Sequence, residues 1–150
     1  MKILVQILEV FCSHLGVGAF ALDQLHYFVT NRNEDAKTML TASHHPISWF
    51  SMALVCINMT NFIVELLNTR RLHPMLYMHY LQLMQPKKPD FELKLPIHII
   101  HDFYCVLNLE FLEKWQSRPL TVMEFEKFFK SFKNDIKQDL RLNYLKYLIK

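Results

Sequence analysis

Apolar residues recur at helical spacing along most of the chain. Over residues 3–14 they fall at Ile3, Leu4, Ile7, Leu8 and Phe11, an i, i+3, i+4 stripe that predicts an amphipathic helix. Gly16 and Gly18 interrupt the stripe, and a second helix is predicted from about Ala19 to Val29. Asn31-Arg32-Asn33 reads as a loop. Glu34 to about Ala42 reads as a short helix with acidic residues in its first turn, where they complement the positive end of the helix dipole.

His44-His45-Pro46 breaks the chain again, and Ser48 is a candidate N-cap for a long helix from Trp49 to about Asn68. That segment is apolar almost all round, which predicts a place at the centre of a bundle. Arg70 and Arg71 follow its end, where cations suit the negative dipole terminus. A further helix is predicted over residues 74–84, a Pro- and Lys-rich loop over 85–90, and a strong helix from Ile97 to Trp115. Thr121 and Glu124 form a capping-box pattern before a last helix with a break near Asn134. The pattern predicts an all-α fold, a compact multi-helix bundle of about six or seven helices.

Composition agrees with that reading. With 150 residues, 51% hydrophobic and 21% charged, the chain can bury a core and is not of disordered type. Gly is scarce at 2 and Phe abundant at 12, which suits packed helices better than a turn-rich β fold. A net charge of +3 is too mild to argue for nucleic acid. Cys12, Cys56 and Cys105 are far apart, odd in number and without a CxxC, so they read as free thiols. The N-terminus imitates a secretory signal, with Ala19-Phe20-Ala21 as a cleavage-site pattern. Gln6, Glu9 and His14 interrupt its apolar stretch, which favours a retained helix and a cytoplasmic protein. No apolar run reaches the roughly 18 residues of a transmembrane helix.

Several constellations could carry chemistry, and each has a plainer explanation. His98, His101 and Asp102 share a helix face, but no further metal ligands are indicated, so neither metal nor cofactor is expected. Ser13-His14 and Asp23–His26 lack a nucleophile-elbow pattern. Gly16-Val17-Gly18 is a lone GxG, read as a tight turn with close helix packing more readily than as a phosphate cradle. Lys127, Lys130, Lys133 and Lys137 recur near one helical turn. They read as a solvated face, with docking to an acidic partner or to an anionic membrane as the functional alternative. Trp49, Trp115 and the many phenylalanines read as packing residues.

Three segments in order carry a family resemblance. Residues 50–61, from Phe50 through Ile57-Asn58-Met59-Thr60, resemble the "PFAVVGINIT" segment of ELMO domains. Phe103-Tyr104-Cys105-Val106-Leu107 with Phe111, Trp115 and Val122-Met123-Glu124-Phe125 resembles their "LYCYLF…FW…DF" segment. Gly16-Val17-Gly18-Ala19-Phe20-Ala21-Leu22 with Leu25-His26-Tyr27-Phe28 resembles "RGMGLLGL…L.YF". The resemblance divides the chain into a divergent N-terminal helix, residues 1–14, and a partial ELMO-like domain, residues 15–145.

The resemblance implies a cytoplasmic helical regulator of Arf- or Rac-type small GTPases, closer to the small single-domain branch whose members activate GTP hydrolysis. Larger relatives act in cytoskeletal and phagocytic signalling. The family's arginine precedes the GxG, and Leu15 stands there in this chain. An arginine finger is worth ~10³–10⁵ in rate, and leucine can neither donate nor carry charge. The expected protein is thus a degenerate binding or scaffold module, with no catalytic residue and with Leu15, Gly16 and Gly18 as the GTPase-binding candidates. Asn58 and Thr60, on a largely buried helix, need partners and read as structural. Two alternatives stay open. One is an active GTPase activator using another arginine, although Arg32, Arg70, Arg71, Arg118 and Arg141 match no family finger position. The other is a small secreted helical protein beginning near Leu22.

Overall fold

The computed structural model describes residues 18–83 and 96–147. The helix predicted over 3–14, the loop over 85–90, and Leu15 and Gly16 lie outside the described residues. Within them are six α-helices and no strand. They are α1 (Gly18–Asn31), α2 (Asn33–Ser43), α3 (Met52–Asn68), α4 (His73–Leu83), α5 (Pro96–Gln116) and α6 (Phe125–Asn143). Short 3₁₀ turns at Val122–Glu124 and Tyr144–Tyr147 flank α6. The all-α expectation therefore holds.

Helix α3 is the hub. It packs against α1, α2 and α5, and buries Met52, Val55, Ile57, Met59, Phe62, Ile63 and Leu66. Each such side chain contributes ~1.5–3 kcal/mol relative to exposure, so no other placement of this helix competes. Its start differs from the sequence reading. Ser51, not Ser48, is the N-cap, and its side chain accepts from the Leu54 N–H at 3.3 Å. The Ser48 carbonyl is engaged elsewhere: it accepts the Trp115 indole N–H at 2.8 Å. That bond holds the preceding residues off the helix, and Trp49, expected to pack, is 47% exposed.

The far end of α3 closes with a Schellman arrangement. The Arg71 N–H donates to the Leu66 carbonyl at 2.9 Å, and the Arg70 N–H to the Leu67 carbonyl at 3.0 Å. Arg70 sits there at φ 59°, a left-handed position that normally favours glycine.

Helix α6 is amphipathic and unbroken, so the predicted interruption at Asn134 does not occur. Glu124 reaches back to the Thr121 N–H at 2.9 Å, as the capping-box pattern predicted. Phe125, Phe129, Phe132, Ile136 and Leu140 face the core at helical spacing. Phe111 and Trp115 of α5 meet this stripe, with Trp115 5.2 Å from Phe128 and Phe111 5.9 Å from Phe132. The lysines of α6 are not simply a solvated face. Lys133 and Lys137 both pair with Glu65 of α3 and lie over the Phe62 ring. Hydrogen bonding from Lys137 holds the Glu65 carboxyl below its ordinary range, against the opposing effect of partial burial.

Polar side chains also enter the core where α1, α3 and α5 meet. Gln24, Thr60, Tyr104 and Asn108 are each fully buried. Thr60 Oγ1 lies 2.9 Å from Gln24 Oε1 and 3.2 Å from the Cys56 carbonyl, so its single hydroxyl proton is shared between two acceptors. Asn108 donates to the Tyr104 carbonyl at 2.9 Å. Gln24 Nε2 finds no hydrogen-bond partner among the described residues.

Thr60→Val should therefore cost about 1–3 kcal/mol, because the Gln24 amide then loses its side-chain partner in the core. Adding Gln24→Leu should recover part of that loss, since paired apolar replacement leaves no orphaned group; urea denaturation of both variants checks this. Arg70→Gly should stabilise the fold by about 1 kcal/mol, the left-handed penalty less the entropy that glycine adds to the unfolded chain. A melting temperature unchanged or lowered by that substitution would count against strain at Arg70.

Candidate functional site

Gly18 is the first described residue of α1. Downstream, α1 presents Phe20, Asp23 and Tyr27 at a spacing of three to four residues, which puts them on one face. Helix α5 lies against α1 and presents His98, His101 and Asp102. The two faces form a seam that runs along α1 from its Gly18 end.

The Tyr27 hydroxyl donates to Asp102 Oδ1 at 2.6 Å. The Tyr27 ring lies 5.0 Å from the His101 ring and 6.2 Å from that of His98, and Phe20 covers His101 from the other side at 6.0 Å. His101 is buried, and its Nδ1 has no hydrogen-bond partner among the described residues. Burial lowers its pKa, the neighbouring His98 lowers it further, and Asp23 and Asp102 oppose them. The imidazole is thus held neutral at pH 7. Burial raises the Tyr27 pKa, and its bond to the Asp102 carboxylate raises it further, so the phenol stays a donor.

Two buried thiols are also held in their uncharged forms. Burial pushes the Cys56 thiol up to about 11 and the Cys105 thiol up to about 12, which removes both as nucleophiles at neutral pH. Both are free and buried, while Cys12 lies outside the described residues. Asp23 and His26 are exposed on α1. Among the described residues, no group of three His, Cys, Asp or Glu side chains could hold a metal ion.

The remaining sequence candidates separate. Thr60 lies in the buried junction with Gln24. Asn58, two residues earlier, is half-buried and lines an open groove of about 660 Å³ between α3 and α6, beside Asn61 and Lys130. Leu15 and Gly16 lie outside the described residues. Sequence reasoning missed the Tyr27–Asp102 bond and the buried Gln24 and Asn108. A polar residue at an otherwise apolar helical position was the signal available for the last two.

A sequence model of the ELMO/CED-12 family matches residues 14–129, most of the chain. The chain belongs to the ELMO/CED-12 family. It is 33% identical over 123 residues to ELMO domain-containing protein 2 of Bos taurus and of Homo sapiens, an overlap that covers 81% of this chain and 38% of each relative. The Mus musculus protein of that name is similar to the same extent. The chain thus matches well under half the length of these curated relatives. No solved structure matches it. Within the ELMO frame, the described core helices α1, α3 and α5 coincide with the three segments that carry the resemblance.

Because burial depresses His101 below its ordinary value of 6.5, the unfolded chain takes up that proton first. Its contribution to stability is complete above about pH 6.5 and is lost as the pH falls through the folded-state value. His101→Phe keeps an aromatic ring in the slot and removes the proton. Urea midpoints measured from pH 7.5 to 5.0 should fall more steeply for the native chain than for this variant, and equal slopes would contradict a buried neutral His101.

Proposed function

We propose that this chain is a cytoplasmic ELMO-type module that binds a small GTPase of the Arf or Rac class without accelerating GTP hydrolysis. The observation that carries the reading is Leu15 in the position where the family places an arginine, directly before Gly16-Val17-Gly18. A finger at that point neutralises charge developing on the transferred phosphoryl group. Leucine offers no such charge. The candidates for the remaining binding surface are Leu15 and Gly16, which lie outside the described residues, and Gly18 on α1.

The seam supports this reading mechanically. Tyr27 ties α1 to Asp102 of α5, while Thr60 ties α1 to α3 through Gln24. A helix held from two sides shifts little as a body on binding, which favours affinity. Regulation would follow from occupancy, by sequestering a GTPase or bringing it to another protein.

The experiment is single-turnover GTP hydrolysis by an Arf-family GTPase, with the native chain and with Leu15→Arg. Acceleration by the variant alone, by tens-fold or more, is the expected result. Acceleration by the native chain would mean that another arginine supplies the charge. Silence from both, together with no binding in a pull-down, would remove the GTPase assignment.

A further inference from the structure

The connection between α2 and α3 is rigidly built, yet it leaves its large apolar side chains outside. His45 Nδ1 accepts from the backbone N–H groups of Ile47 at 3.2 Å and Ser48 at 2.9 Å. The Ser48 carbonyl is bound by the Trp115 indole, and the Phe50 N–H donates to the Ser43 carbonyl at 3.2 Å. The Phe50 ring is buried against Phe111 and Trp115. Between these fixed points Ile47 is 64% exposed and Trp49 47%. In the turn ahead of α6, Met123 is 88% exposed. Ile47 and Trp49 are held in water by the hydrogen bonds on either side of them.

Cations lie beside them. The last turn of α5 and the first turns of α6 enclose a cavity of about 310 Å³ floored by Phe128 and Phe132 and rimmed by Lys114, Arg118 and Lys127. Glu124 and Asp135 line it too. Asp135 accepts from Lys114 at 3.4 Å, and Glu124 accepts from the Thr121 N–H and keeps its charge, so Arg118 and Lys127 leave the rim net positive. Arg118 and Lys127 are exposed and have no ion pair among the described residues. Trp115 joins the two features. It holds the Ser48 carbonyl on one side and the Phe128 ring on the other, three residues before Arg118.

We propose that this end of the bundle docks on an anionic phospholipid bilayer. Ile47, Trp49 and Met123 enter the boundary between headgroups and acyl chains, and Arg118 and Lys127 hold lipid phosphates at the rim of the cavity. Tryptophan suits that boundary because its ring is apolar and its N–H stays within reach of polar groups. The anchors protrude from a loop and a turn instead of lining a groove. A bilayer accepts protruding side chains without a shaped counterpart, whereas a protein partner would need matching pockets. Charge complementarity with anionic lipid comes from Arg118 and Lys127, not from Lys133 and Lys137, which are drawn to Glu65 on α3. The proposal rests on residues other than Leu15, Gly16 and Gly18, so it does not depend on the GTPase reading.

The test uses the two tryptophans. Trp115 is buried and Trp49 exposed, so a change in emission on adding vesicles reports on Trp49. The full chain is mixed with phosphatidylcholine vesicles, with or without phosphatidylserine, and followed by emission and co-sedimentation. A blue shift and sedimentation with the phosphatidylserine vesicles alone is the expected result. Trp49→Ala should lower partitioning by about tenfold or more, from the lost burial of one large ring. Arg118→Ala combined with Lys127→Ala should abolish the preference for anionic lipid. Unchanged thermal unfolding of the variants confirms that they fold. No sedimentation of the native chain, or equal partitioning of native and variant chains, overturns the proposal. Binding to polyglutamate without binding to vesicles would also overturn it, and would assign the surface to an acidic protein partner.

Discussion

Burial of α3 is the interaction on which the other elements depend. Its apolar side chains cover nearly the whole circumference, so water can be excluded only if helices pack on several sides at once. Helices α1, α2 and α5 do so directly, and α6 closes the remaining side through Phe62 and Glu65. The cost of exposing this one helix, several kcal/mol for even a few of its side chains, exceeds the net stability of a typical domain. That comparison explains why its neighbours have one arrangement and not several.

Polar groups then select the registers that apolar packing leaves open. A hydrophobic face tolerates sliding, but a buried hydroxyl does not. Thr60 has Gln24 as its side-chain partner, and Tyr27 has Asp102. Each bond contributes about 1 kcal/mol net, yet misplacing it would orphan a buried group at greater cost. On the outside, Glu65 draws Lys133 and Lys137 across the α3–α6 interface. The C-terminal turn is held in a similar way, with Lys146 reaching Glu110 at 3.1 Å and Asp139 at 2.9 Å.

This architecture bears on function because its interior disfavours charge. Cys56, Cys105, Tyr104 and His101 are all driven by burial toward their neutral forms. Two parts of the ELMO bundle's surface are fixed by named contacts: the α1–α5 seam through Tyr27 and Asp102, and the Trp49 loop through His45 and Trp115. Among the described residues, no single helix is long and apolar enough to cross a membrane.

The sequence by itself determined the helices and their buried faces. Periodicity placed α5 to within a few residues and found the start of α6 but not its unbroken course to Asn143, the Thr121–Glu124 cap was legible from residue type and spacing, and the family followed from three ordered segments. These are local or one-dimensional signals, carried within a turn or two of helix. The tertiary structure decided which polar residues would be satisfied, and by what. Ser48 looked like a cap until Trp115 claimed its carbonyl, and Trp49 looked like core until that same bond turned it outward. Lys133 and Lys137 looked solvated until Glu65 appeared opposite them. Their partners lie some 70 residues away along the chain, and an interaction between distant positions leaves no periodic trace at either one.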